Sequence, residues 1–193
     1  VYTASCHFSL FAANALILLW NVVQGTEQYM TLGQGLIGTA WAAGFLGLLG
    51  CYPALADRSR WVARGGAVFA VVGLLTMLVM AVVSFGLSGG VLGGALMDYT
   101  PYFLPGVFLG IVLGFGSYGV AGLLTGALPR LVGPLFLLLV ATFLFNLGSG
   151  IAGFNPLAKV LGVVAVLTVS MLAVGHVFRT GDAGTGPAGA AAP

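Results

Sequence analysis

FLPGVFLGIVLGFGSYGVAGLLTGA, residues 103–127, is the stretch that decides what kind of protein this is. It is 25 residues long, carries no charge, and stops against Pro129 and Arg130. At about 1.5 Å per residue, a helix of that length crosses a hydrocarbon core of roughly 30 Å with length to spare. Gly106, Gly110, Gly114, Ser117, Ala121 and Thr125 recur every three or four residues, so they stack on one helical face. Phe108, Leu109, Ile111, Val112, Leu113, Leu123 and Leu124 fall on the other faces. The smooth face admits another backbone at close range, and the bulky faces suit lipid or grooves. The pattern predicts the central packing helix of a polytopic membrane protein, with Gly106, Gly110 and Gly114 as its contact positions.

The remainder of the chain agrees with that class. Of 193 residues, 60% are hydrophobic and only 5% charged. A soluble domain carries about 25% charged residues, so a water-soluble fold is excluded. The 32 glycines follow no G-x-y period, which leaves helix packing as their use. A net charge of +2 without a basic patch gives nucleic acid nothing to bind. Two cysteines imply no disulfide framework.

Six apolar segments can be drawn, at about 4–24, 32–54, 61–86, 103–127, 131–151 and 156–179. The expected fold is all-α: one six-helix transmembrane domain over residues 1–180, then a flexible Gly/Ala/Pro tail over 181–193. The first segment lacks a basic n-region and a small-residue cleavage site, so it reads as a span rather than a signal peptide. Arg58, Arg60, Arg64, Arg130 and Arg179 fall in alternate connections, and Lys159 alone falls on the other side. The positive-inside rule then puts both termini in the cytoplasm, with the chain multi-pass in the plasma membrane. GFLGLLG at residues 44–50 is echoed by GVAGLLT at 119–125, each followed by Ala-Leu and an arginine. Hairpins two–three and four–five are therefore candidate structural repeats.

Candidate chemistry is sparse. Each segment places a neutral polar side chain near its middle: Asn14, Thr39, Thr76, Ser117 with Tyr118, Thr142, and Thr168 with Ser170. Pointing inward, these would line a solute pathway at the bilayer midplane. Pointing at their own backbones, Ser and Thr are structural, contributing roughly 0.6 kcal/mol each. No Asp, Glu, Lys or Arg occupies the inner part of a segment, which argues against a proton pump or gating charges. Cys6, His7, Cys51 and His176 share a depth near the cytoplasmic ends. They lack CxxC or HxxxH spacing, so no metal or haem is expected. Gly114, Gly116 and Gly119 spell G-x-G-x-x-G, but inside a span this is packing glycine rather than a dinucleotide loop. No catalytic triad or paired carboxylate is present, and neither enzyme activity nor a cofactor is expected.

Three stretches give the chain a resemblance to the six-span acetate uptake transporter (succinate–acetate permease) family: ALILLWN at 15–21, FLGIVLG at 108–114 and NLGSGIAG at 146–153. The family's N-terminal Asn-Pro-Ala-Pro-Leu-Gly-Leu signature is replaced by Phe8-Ser9-Leu10, and no binding residue is carried over. The chain is also similar to multi-span membrane proteins of halophilic archaea. The resemblance implies a channel or transporter for a small, monocarboxylate-like solute. Smooth glycine faces and an uncharged interior suit equally a non-transporting accessory or assembly subunit of a larger membrane complex. Both readings expect lipid around the chain and either copies of itself or other membrane subunits as partners.

Overall fold

The computed structural model describes Phe11, Ala12, Ala15, Leu19 and residues 27–154 and 156–181. Most of the first apolar segment, with Cys6, His7 and Asn14, lies outside the described residues, as does the tail after Gly181. The four described members of that segment are helical. The remaining elements are α1 (Glu27–Gly50), a short α2 (Tyr52–Ala56), α3 (Arg60–Ser88), α4 (Leu96–Thr125), α5 (Val132–Ile151) and α6 (Leu157–Gly181). All but α2 include stretches long and apolar enough to cross a bilayer, as befits a membrane-embedded protein.

Helix ends follow local chemistry. Gly50 closes α1, and Pro53 then sits in the first turn of α2, where a missing N–H costs least. The apolar segment at 32–54 thus divides into one long helix and the start of a short one. The opposite discrepancy occurs at α4, which begins at Leu96 rather than 103. The Asp98 carboxylate accepts the Ala95 N–H at 2.9 Å and places an acid in the first turn, which starts the helix early. Helical geometry then continues through Pro101 and Pro105.

Within α4, residues Leu109–Phe115 form a π-helix. Its i→i+5 bonding adds about one residue per turn. Ile111, grouped with the bulky outer residues from sequence, is fully buried, whereas Leu123 and Leu124 are 50% and 82% exposed.

The hub is α3. It packs against α1, α2 and all three parts of α4, while α5 packs on the C-terminal half of α4 and α6 packs on α5. The buried face of α3 is Ala63, Gly66, Ala70, Gly73, Met77, Ala81 and Ser84, all small but Met77 and set at three- and four-residue spacing. Its other face, with Val68, Val71, Leu75, Leu78, Val79 and Val82, is exposed and apolar. In a membrane such a face meets lipid.

Candidate functional site

The α3–α4 seam is built from backbone approach. A methyl group added to Gly110 would lie 2.5 Å from Gly73 Cα and 2.9 Å from Phe45 Cζ. One added to Gly106 would overlap Thr76, and one added to Gly114 would stand 3.3 Å from the Ala70 nitrogen. Gly66, one turn further along α3, is covered by the Tyr118 ring. All three stripe glycines of α4 therefore meet α3.

Beside this seam the middle of the bundle is filled by rings. Phe11 and Trp41 stand edge to face with centroids 4.9 Å apart, and Trp41 meets Phe115 at 5.8 Å. Phe115 in turn contacts Phe45 at 5.3 Å and Phe136 at 5.4 Å. Edge-to-face and tilted pairs at these separations are favourable beyond the area they bury. The cluster joins α1, α4, α5 and the first segment, and all five rings are buried.

The mid-segment polar residues occupy separate environments. Thr39 donates its hydroxyl to the Leu36 carbonyl at 2.8 Å, and Thr76 donates to Val72 at 2.8 Å, each within its own helix. Ser117 is half-buried against Gly66. The Tyr118 hydroxyl and the hydroxyls of Thr168 and Ser84 are buried with no hydrogen-bond partner among the described residues. Thr142 lines a sizeable cavity. Ser170 is buried on α6. A second, apolar cavity of about 30 Å³ lies beside Phe11 and Trp41.

The larger cavity, about 440 Å³, is a cleft between α5 and α6, and it holds a residue that sequence reading treated only as a topological charge. Lys159 is 9% exposed, and its ammonium donates to the carbonyls of Phe154 at 3.1 Å and Asn146 at 3.4 Å. The signal available in the sequence was its place three residues after Pro156, inside rather than before the helix. At the opposite end of α5, the turn into it lies beside the α2–α3 turn. The Arg58 guanidinium donates to the Thr125 carbonyl at 2.9 Å, a cation at the negative end of α4. Gly126 follows with φ of +59°, the left-handed turn that ends the helix. The two echoed stretches thus terminate at one end of the bundle, joined by Arg58.

Among the described residues no group of three His, Cys, Asp or Glu side chains could hold a metal ion. Cys51 is buried with its thiol 3.5 Å from the Gly47 carbonyl, and His176 is exposed. These features define the class: an all-α, membrane-type helical bundle with a tight small-residue seam and an aromatic centre. The chain matches no family model, no curated protein and no solved structure.

Proposed function

We propose that this chain is a multi-pass plasma-membrane protein of the non-conducting kind, an accessory or assembly subunit that works by packing rather than by passing solute through its own bundle. The observation that carries the reading is the ring cluster of Phe11, Trp41, Phe45, Phe115 and Phe136, which packs buried side chains between α1, α4, α5 and the first segment. Thr39 and Thr76 support it, because their hydroxyls are engaged by their own helices instead of being held for a solute. The chain acts without catalysis or cofactor, and six spans with both termini cytoplasmic complete the topology. Five arginines in alternate connections support that orientation, as does the Arg58 bond that draws two of those connections together.

A test is isolation of tagged full-length protein from native membranes in mild detergent. A fixed stoichiometric partner, or a defined homo-oligomer, is expected. A single monodisperse chain with neither would sink the subunit reading.

A second reading, small monocarboxylate transport, is favoured by the α5–α6 cleft, whose lining includes the polar side chains Thr142 and Lys159. The likeness to acetate permeases points the same way. A weak acid carries its own proton, so such a route needs no fixed carboxylate.

A further inference from the structure

The outward face of α3 changes character along its length. It opens with Arg60, Trp61 and Arg64 and continues with Val68, Val71 and Leu75, all of them exposed. At 3.6 residues per turn these positions fall within an arc of about 100°, so they form one continuous strip. The Arg64 guanidinium lies 5.9 Å from the Trp61 ring centroid, a cation–π contact that holds the two side chains together at the surface. Among the described residues neither the Arg60 nor the Arg64 guanidinium has an ion pair or a hydrogen bond, although the Asp57 carboxylate lies just before the helix. Arg58, by contrast, is held by the Thr125 carbonyl. Two cations at the start of a helix work against its macrodipole, so helix stability does not account for them.

We propose that this strip binds one anionic phospholipid, with the phosphate between the Arg60 and Arg64 guanidiniums and an acyl chain along Val68, Val71 and Leu75. Residues four apart on a helix are surface neighbours, so the two guanidiniums can meet one phosphate, and their planar forks match its oxygens. The apolar span of α3 starts at Arg60, which sets these arginines at the headgroup layer, the level where an exposed tryptophan also belongs. Leu75 lies eleven residues beyond Arg64, about 16 Å along the helix, or roughly the depth of one leaflet. The charge and the length of the strip thus fit the two parts of a single lipid. A zwitterionic lipid brings its own cation to the arginine pair, and a dissolved anion leaves the apolar part unused. The site stands whether the chain is a subunit or a carrier.

Native mass spectrometry of the full-length protein, exposed to an equimolar mixture of phosphatidylglycerol and phosphatidylcholine of equal chain length, tests this. Retention of phosphatidylglycerol about 25-fold over phosphatidylcholine is expected, a factor of about five for each arginine at the headgroup. Arg60→Gln and Arg64→Gln should each reduce the ratio to about fivefold, and the double variant should bring it close to one. Both side chains are exposed, so these variants fold, and an unchanged elution profile in detergent checks it. Arg130→Gln, at an exposed position in the α4–α5 connection, should keep most of the preference. Equal retention of the two lipids by the native protein would overturn the proposal. So would a preference that survives the double substitution, or one that Arg130→Gln lowers as far as Arg64→Gln does, which would make the attraction a diffuse property of the arginine-bearing end. Displacement of the lipid by millimolar inorganic phosphate would overturn it as well, making the arginine pair a site for a dissolved anion.

Discussion

The α3–α4 seam and the α5–α6 hairpin are both pairs of adjacent apolar helices, yet they are held together by different means. In the seam, Gly73 and Gly110 bring two backbones together. In the hairpin, a cleft of about 440 Å³ opens between parts of the two helices, and a lysine ties the turn. Lipid is as apolar as leucine, so inside a membrane two helices gain by associating only where their surfaces fit closely. The seam has that fit along its length. Much of the hairpin lacks it, which leaves room for another molecule.

The contrast breaks first at Gly110. Gly110→Leu would drive a branched side chain into Gly73 and Phe45, and we expect loss of the folded protein, read as aggregation during size-exclusion chromatography in detergent. Phe108→Leu, on the partly exposed side of the same helix, should leave the elution profile unchanged. Equal tolerance at both positions would mean that the seam does not hold the bundle together.

A smaller effect is expected at the arginine-bearing end. Arg58→Gln removes the cation from the Thr125 carbonyl and should lower stability by about 1 kcal/mol, measured by thermal unfolding. Tyr118→Phe should shift the same measurement in the opposite direction by a similar amount, about 1 kcal/mol, because it deletes a buried hydroxyl with no hydrogen-bond partner among the described residues. Destabilisation by Tyr118→Phe would show that the hydroxyl has a use in the assembled protein. Gly162→Ala should be neutral, or stabilising by no more than about 1 kcal/mol, since the new methyl enters the open cleft while the helix loses a glycine. A loss at Gly162 as severe as that at Gly110 would erase the difference between the two regions.

Much of the fold was legible because apolar length and small-residue spacing are local properties. Residues 103–127 already displayed Gly106, Gly110 and Gly114 as a stripe. The partner stripe on α3 was equally present, from Gly66 through Ala70 and Gly73 to Ala81, but it is diluted by valine and methionine and was not singled out. The π-helix was not legible, because it changes the residues per turn without any proline or charge inside Leu109–Phe115 to mark it. Ile111 falls away from the glycine stripe and is buried nonetheless, because α5 as well as α3 packs against Leu109–Phe115. The ring cluster and the lysine cleft depend on contacts between helices distant in sequence, such as Trp41 with Phe115, which periodicity within one segment does not encode. Asn14, the sequence candidate whose amide most needs a partner in hydrocarbon, lies outside the described residues.

The central claim is that the bundle is closed at its aromatic centre, and solute flux tests it most directly. Labelled acetate and labelled glycerol would be offered to proteoliposomes of the purified protein at two pH values, with empty liposomes as reference. A closed bundle predicts uptake of both solutes equal to the reference at either pH, for the native protein and for the Asn14→Leu, Ser117→Ala double variant alike. Acetate uptake that exceeds the reference, rises as pH falls and disappears in the double variant would contradict the account and establish a weak-acid pathway.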